Sequence, residues 1–219
     1  MKVAVLAGTL VDTKMGEEIL ISRGFEVEGY PLAKNPQEQT KMQYFSKEEL
    51  EEKVADIVKC AKLEGVEKVF IYCNSLSSAI DYEKLEKVLD IPFITPLETY
   101  KNLEDSIKNN VILAANGISA YKIDKIINEY NKGINTISIG NLSIVLSIEE
   151  SLSPKEIITK LNLEGLLTYL TNIKDERYKI DSILLGCTHF PYRKDELEKL
   201  TDLKIIDPVD DMINRLISA

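Results

Sequence analysis

Short apolar runs alternate with longer amphipathic segments along the chain. The first apolar run is Lys2–Ala7 (KVAVLA) and the last is Leu203–Ile206, and each is short enough to be a buried strand. The segments between the runs carry helix signals, such as Ser46 followed by Glu49 in a capping box. Strands that alternate with helices form parallel sheets covered by those helices, so the sequence predicts an α/β fold.

The two halves of the chain resemble each other. Val3–Ala7 is similar to Val111–Ala115, and Val69–Asn74 is similar to Ile183–Thr188. The members of each pair lie about half a chain apart. The sequence therefore predicts two similar lobes with a cleft between them, each lobe being a mainly parallel sheet flanked by helices. The expected lobes are residues 1–94 plus 201–219, and residues 95–200.

The charge and cysteine content restrict the partners and the setting. The net charge is −9 and the basic residues do not cluster, which disfavours nucleic acid because phosphate binding needs grouped Lys and Arg. No apolar run reaches the length of a transmembrane helix or of a signal peptide, so we expect no membrane partner. Three widely spaced cysteines do not form a disulfide framework. We therefore expect a cytoplasmic protein with reduced thiols.

Two of the cysteines, Cys73 and Cys187, directly follow predicted strands. In open α/β sheets, ligands bind at the carboxyl ends of the strands. We also expect a helix after each cysteine, and a helix N-terminus favours the ionised form of a nearby thiol. Both residues are therefore candidate reactive thiols. Cys60 lies within a predicted helix, where we expect a small packing residue.

The residues around these two cysteines resemble the aspartate/glutamate racemase family. The motifs are Cys73–Ala79 (CNSLSSA) and Leu185–Pro191 (LGCTHFP), of which the second is the more specific. The resemblance covers most of the chain in architecture and these two segments in detail. It implies two α/β lobes with the active site in the cleft between them. It also implies a homodimer, although nothing in the sequence fixes an interface.

The resemblance further implies the roles of three residues. Cys73 and Cys187 would be the acid/base pair of an amino-acid racemase that uses no pyridoxal phosphate and no metal. One thiolate removes the α-proton from one face of the substrate, and the other thiol returns a proton to the opposite face. His189 would assist Cys187. Because a racemase must accept or donate a proton on either side, two groups of the same type suit it.

The other candidate site residues lie at strand ends and in turns. The candidate substrate-binding residues are Gly8, Thr9, Asn74, Ser75, Asn116 and Thr188. Four of them have a structural alternative: Asn74 and Thr188 as helix caps, and Thr9 and Gly8 as turn residues.

Members of the family often carry an acidic residue beside each cysteine. In glutamate racemases the first of these lies in an Asp-Ser-Gly turn, whereas this chain has Ala7-Gly8-Thr9. The pattern departs there, and Asp12 is the candidate substitute. Glu149 and Glu150 are the candidates for the second. The alternative for all three carboxylates is a solvated surface position.

Several functions are compatible with the sequence. The leading hypothesis is racemisation of aspartate or glutamate, which differ by one methylene and are weakly discriminated by a pocket. The alternatives are a related isomerase such as a maleate cis–trans isomerase, a malonate decarboxylase, a cysteine hydrolase and a non-catalytic small-ligand-binding protein. Cys187 and His189 are the one close pair of metal-ligand type among the cysteines and the histidine, so we expect no zinc site. The sequence contains neither a dinucleotide fingerprint nor a P-loop.

Overall fold

The computed structural model describes residues 1–42, 44–190 and 194–218. The chain forms two compact units. The first comprises Met1–Leu97 together with the residues from Val209 onward, and the second comprises Glu98–Pro208. Each unit contains one four-stranded parallel sheet flanked by helices, which confirms the predicted α/β fold.

The first unit is built on a sheet whose strand order is β2-β1-β3-β4. Its elements are β1 (Lys2–Ala7), α1 (Leu10–Ser22), β2 (Glu26–Pro31), α2 (Pro36–Met42), α3 (Lys47–Leu63), β3 (Lys68–Ile71), α4 (Asn74–Ser77), α5 (Tyr82–Leu89), β4 (Phe93–Ile94) and, at the end of the chain, α12 (Val209–Ser218). All three strand pairs are parallel. The helix α6 (Leu97–Lys101) follows β4 and leads into the second unit.

The second unit is built on a sheet whose strand order is β6-β5-β7-β8. Its elements are β5 (Asn109–Ala114), α7 (Gly117–Tyr130), β6 (Asn135–Gly140), α8 (Leu142–Glu149), α9 (Pro154–Lys160), α10 (Leu163–Thr171), β7 (Ser182–Gly186), α11 (Lys194–Glu198) and β8 (Lys204–Ile206). The first strand of each unit is central, with the second and third strands of that unit on either side of it. The similarity between the chain halves therefore reflects a shared strand order.

The last helix, α12, belongs to the first unit because of its apolar face. Met212, Ile213 and Leu216 are buried in one cluster with residues of β1 and β3, among them Val5 and Phe70. Burying an apolar side chain of this size stabilises the fold by about 1.5–3 kcal/mol. The chain thus returns to its first sheet after completing the second.

Two details differ from the sequence-based expectations. We placed residues 201–208 in the first lobe, but β8 pairs with β7 in the second sheet, so these residues belong to the second unit. Residues 31–39 have a loop composition, yet the second half of this stretch begins α2, which extends to Met42. The side-chain oxygen of Asn35 accepts a hydrogen bond from the backbone N–H of Glu38 at 2.9 Å, and this contact supports the first turn of that helix.

The part of the chain that the structure describes contains no helix long and apolar enough to cross a membrane.

Candidate active site

Cys73 and Gly8 lie at the same edge of the first sheet. Leu6 of β1 is paired with Ile71 of β3, and Gly8 and Cys73 each follow two residues later. Cys73 is the N-cap of α4, and its carbonyl oxygen accepts the backbone N–H of Ser77 at 3.0 Å. Its thiol makes no capping bond to α4. The sulfur is therefore available for contacts with other side chains.

Two neutral side chains contact the Cys73 thiol. Its Sγ lies 3.2 Å from Oγ of Ser75, and the side-chain amide of Gln39 donates to the same sulfur at 3.7 Å. The backbone of Leu32 and Ala33 brings α2 to this position, because their N–H groups donate to the carbonyls of Ala7 and Gly8. The site thus combines a strand end, the following turn and a short helix from elsewhere in the unit.

A cavity opens beside this thiol within the first unit. Its lining residues are Gly8, Leu32, Gln39, Met42, Leu50, Cys73, Ser75, Leu76 and Ala79. The polar side chains in this set, Gln39, Cys73 and Ser75, are the three that contact one another at the sulfur. The cavity therefore has an apolar wall and one small cluster of hydrogen-bonding groups, as small-molecule sites often do.

Asp12 binds the turn that carries Gly8. Its carboxylate accepts the backbone N–H of Gly8 at 3.1 Å, the N–H of Thr9 at 2.5 Å and the hydroxyl of Thr9 at 2.9 Å. Thr9 is the N-cap of α1 and forms a capping box with Asp12. Its contacts therefore fit the structural alternative, a residue of the turn before the helix. Asp12 is 1% exposed, which makes the expectation of a solvated carboxylate wrong.

In the second unit, Cys187 begins a chain of three interacting side chains. Its Sγ lies 3.6 Å from Nδ1 of His189, and Nε2 of His189 lies 2.9 Å from Oε1 of Glu149. His189 is 1% exposed and the Glu149 side chain is 13% exposed, so the pair is largely shielded from water. β7 leads directly to Cys187, and Glu149 is the last residue of α8.

This arrangement gives the imidazole a defined task. When Nε2–H donates to the Glu149 carboxylate, the neutral ring presents the Nδ1 lone pair to the Cys187 thiol and can accept its proton. The resulting imidazolium is stabilised by the carboxylate on its other side. The three groups can therefore generate a thiolate or return a proton to it.

The other candidates of the second unit have different surroundings. Thr188, which stands between Cys187 and His189 in the sequence, is buried. Asn116 caps α7, its side-chain oxygen accepting the N–H of Ser119 at 3.0 Å. Glu150 is exposed at the C-terminal cap of α8, as expected for a solvated carboxylate. Glu149, by contrast, contacts the histidine, so a solvated reading is wrong for that residue.

The helix directly after Cys73 is shorter than expected, and the helix after Cys187 ends earlier than expected. The sequence suggests one helix over residues 78–89, but the structure has the four-residue α4 directly after Cys73 and then the separate α5. After Cys187 we expected a helix over 191–200, and the structure has α11. Pro191, which ends the second motif, lies outside the described residues.

Sequence reasoning missed Gln39 and misjudged Cys60. Gln39 stands in a segment whose Pro, Asn and Gln content predicts a loop, and no motif marks it. Cys60 is exposed on α3 and is not a packing residue of the core. Within the described ranges, no group of three or more His, Cys, Asp or Glu side chains is placed to share a metal ion.

The comparison with protein families identifies the relatives of this arrangement. The model of the Asp/Glu/Hydantoin racemase family matches residues 32–216, which include both cysteines. The chain belongs to this family. The match begins after β1 and α1, so it leaves out the turn in which the sequence departs from the Asp-Ser-Gly pattern of glutamate racemases.

Individual members of the Asp/Glu/Hydantoin racemase family share limited sequence with the chain. It is 29% identical to the glutamate racemase of Buchnera aphidicola over 160 residues, which cover 71% of this chain and 60% of that protein. The chain therefore spans about 60% of the length of this curated relative.

Solved structures share the fold. The glutamate racemase of Francisella tularensis in complex with D-glutamate superposes with a TM-score of 0.71 at 20% identity, covering 99% of this chain and 79% of that one. An aspartate racemase homologue from Pyrococcus horikoshii gives a TM-score of 0.64 at 15% identity, covering 99% of this chain and 97% of that one. At these identities the likeness concerns the architecture.

Proposed function

We propose that the chain is a cofactor-independent racemase of an acidic amino acid, aspartate or glutamate. The observation that carries the proposal is the pair of buried thiols on corresponding strands of two sheets with the same strand order. Cys73 follows β3 and Cys187 follows β7, and each of these strands is paired with the central strand of its sheet. Membership of the Asp/Glu/Hydantoin racemase family supports the same activity.

In the proposed mechanism the two cysteines exchange roles. One thiolate takes the α-proton and becomes a thiol, which leaves the electron pair on the α-carbon. The other thiol then delivers a proton to the opposite face of that carbon and becomes the thiolate. For the opposite enantiomer the same steps run in reverse. Because the α-proton of an amino acid is only weakly acidic, positioning and electrostatic stabilisation must supply most of the acceleration.

His189 and Glu149 would serve Cys187 in this reaction. The contacts Cys187–His189 and His189–Glu149 support a proton relay in which the imidazole ionises the thiol or returns its proton. Glu149 orients the ring and stabilises its charged form. Of the two carboxylates expected in the second lobe, Glu149 therefore takes the role and Glu150 does not.

The substrate would be held by polar groups at the strand ends. We propose Ser75, Asn74 and the Gly8–Thr9 turn on the Cys73 side, and Thr188 and Asn116 on the Cys187 side. Gly8 and Ser75 line the cavity beside Cys73, which supports the proposed binding groups on the Cys73 side. D-Glutamate is the ligand of the similar Francisella racemase, which supports an acidic substrate here.

Single cysteine variants test the two-base mechanism. We expect Cys73→Ser and Cys187→Ser each to lower racemisation of aspartate and glutamate at least about 100-fold, because a serine hydroxyl is far less acidic than a thiol and provides almost no anion to accept the α-proton near neutral pH. Cys60 is an exposed cysteine on α3, so Cys60→Ser is the matched control and should keep normal activity. Near-normal racemisation by either of the first two variants would exclude the mechanism.

A cysteine hydrolase is the second candidate, because Cys187, His189 and Glu149 have the order of a nucleophile, its base and an orienting carboxylate. A hydrolase would keep its activity in Cys73→Ser and would accumulate an acyl-enzyme on Cys187. Intact-protein mass spectrometry during turnover separates the two functions, since racemisation adds no mass to the enzyme.

We further propose a reducing cytoplasmic setting and a homodimer. The three cysteines are free thiols, which supports the first, and the family resemblance supports the second. Sedimentation analysis of the purified chain would distinguish a dimer from a monomer.

A further inference from the structure

We propose that the side-chain amide of Gln39 is the hydrogen-bond donor that stabilises the Cys73 thiolate in this chain. The inference rests on the proposed function, in which Cys73 must be a thiolate to accept the α-proton. It assigns a task to α2, a helix that the sequence motifs do not mark. It also gives the two cysteines chemically different assistants.

The first observation is the contact itself. Nε2 of Gln39 donates to Sγ of Cys73 at 3.7 Å, a normal distance for a bond to sulfur. An amide N–H keeps its proton over the accessible pH range, so it always acts as a donor. A donor that bonds to the charged form of a group favours that form. The amide therefore favours the thiolate over the thiol.

The second observation is that Gly8 makes room for the amide. A β-carbon at position 8 would lie 1.7 Å from Nε2 of Gln39 and 2.4 Å from its side-chain carbonyl carbon. Any larger residue at position 8 would therefore displace the amide from its present place. The backbone of Gly8 is fixed by its bonds to Asp12 and Ala33, so the glutamine would have to move.

The third observation is the lack of charge on the described side chains that share the cavity with Cys73. Apart from Gln39 and Ser75 they are glycine or apolar residues. The charged groups around α2 include Glu38, Lys41 and Lys53, which line a neighbouring cavity. On the sheet side, the Asp12 carboxylate binds the Gly8–Thr9 turn. A neutral donor thus assists Cys73, whereas an imidazole and a carboxylate assist Cys187.

The test measures the ionisation of Cys73 directly. Iodoacetamide alkylation of the full chain is followed over a range of pH, and peptide mass spectrometry reports the rate at each cysteine separately. We expect Gln39→Ala to raise the pH midpoint for Cys73 by about one unit, since a hydrogen bond to a charged group is lost. Gln39→Glu should raise it further, because a nearby negative charge disfavours the thiolate.

Three further variants make the test specific. Gly8→Ala leaves Gln39 in the sequence but pushes its amide away, so it should raise the Cys73 midpoint as Gln39→Ala does. Gln37 is an exposed glutamine on the same helix, and Gln37→Ala and Gln37→Glu should leave the midpoint unchanged. The midpoint for Cys187 should be the same in all variants, which reports any general effect on folding.

Racemisation of aspartate and glutamate is measured on the same samples. If the Cys73 midpoint stays at the wild-type value in Gln39→Ala and Gly8→Ala, the assignment of Gln39 is wrong, whatever the turnover. If the midpoint shifts as expected but the wild-type chain does not racemise, the contact stands and the proposed function fails. If alkylation of Cys73 is too slow, a thiolate absorbance titration of the Cys60→Ser/Cys187→Ser chain gives the same midpoint.

Discussion

At the scale of single residues, the two thiols differ in the groups that can hold or move their protons. Cys187 contacts an imidazole that is bonded to a carboxylate, whereas Cys73 contacts an amide and a hydroxyl. A relay through His189 can carry a proton toward the carboxylate side, while the amide can only stabilise charge. We therefore assign assistance in proton transfer to the groups at Cys187 and electrostatic assistance to the groups at Cys73.

Replacing Glu149 by Gln tests the relay. The amide keeps the size of the side chain but loses the negative charge that stabilises the imidazolium, so we expect kcat/KM for racemisation to fall about 100-fold. Glu150→Gln changes the neighbouring residue, whose side chain is exposed, and should leave kcat/KM within about twofold. Equal effects of the two substitutions on racemisation kinetics would contradict the role of Glu149.

The sequence predicts the residues of the site unevenly. Cys187 and His189 follow a strand in a specific motif, and the structure brings their side chains into contact. Glu149 was one of two neighbouring candidates, and which of them reaches His189 depends on where α8 ends. Gln39 could not be predicted, because its contact with Cys73 is made across 34 positions of the chain and depends on the path of residues 32–35.

At the scale of the elements, the capping box of α1 links stability to the site. Thr9 and Asp12 start the helix, and the same carboxylate fixes the N–H of Gly8 beside Cys73. The sequence pattern of Thr followed by Asp three positions later is a helix-start signal, although the pattern of the following residues predicts a helix over residues 14–23.

Asp12→Ala should therefore affect both stability and catalysis. Loss of buried hydrogen bonds to a charged group lowers the free energy of unfolding by about 2 kcal/mol, and the released turn also lowers racemisation. Ser46→Ala removes the capping box of α3, whose hydrogen bonds between Ser46 and Glu49 are exposed, and should cost about 1 kcal/mol without loss of activity. Urea unfolding and racemisation assays measure the two effects. Full activity of Asp12→Ala would show that racemisation does not depend on the turn that Asp12 holds.

Glu51 joins α3 to the start of α5 and gives stability a dependence on pH. Burial alone would raise the pKa of its carboxyl, but the Lys84 ammonium, the Asp81 N–H and the Lys47 ammonium together lower that pKa below its ordinary value. The unfolded chain therefore binds this proton more readily than the folded one. The stabilisation is complete above about pH 4.5, where the unfolded carboxyl is ionised, and is lost as the pH falls through the lower folded value.

Glu51→Gln should lower the free energy of unfolding by about 1–3 kcal/mol at pH 7, since it weakens a buried charged contact. In urea unfolding, the difference between wild type and Glu51→Gln should shrink between about pH 5 and pH 3. Glu52→Gln, at the exposed neighbouring position, is the control and should change stability little at either pH. A difference for Glu51→Gln that stays constant down to pH 3 would exclude this assignment.

At the scale of the whole molecule, the repeat in the sequence is a repeat in topology. Both sheets have their first strand in a central position between the second and third, and Cys73 and Cys187 each follow the third strand of their sheet. The similarity between Val3–Ala7 and Val111–Ala115 predicts two corresponding strands, since buried parallel strands are continuous apolar runs. The sheet to which β8 belongs could not be predicted from the sequence, because the composition of this three-residue strand fits either sheet. Its pairing with β7 places it in the second sheet.

The most direct test of the proposed function follows the α-proton itself. The purified, reduced chain is incubated in deuterated water with L-aspartate or L-glutamate and no added cofactor, and proton NMR and chiral chromatography are run on the same samples. We predict loss of the α-proton signal of at least one acid, together with growth of its D-form to equal amounts, because the enantiomers have the same free energy. Loss of the signal without inversion, or no exchange with either acid, would contradict two-base racemisation of an acidic amino acid.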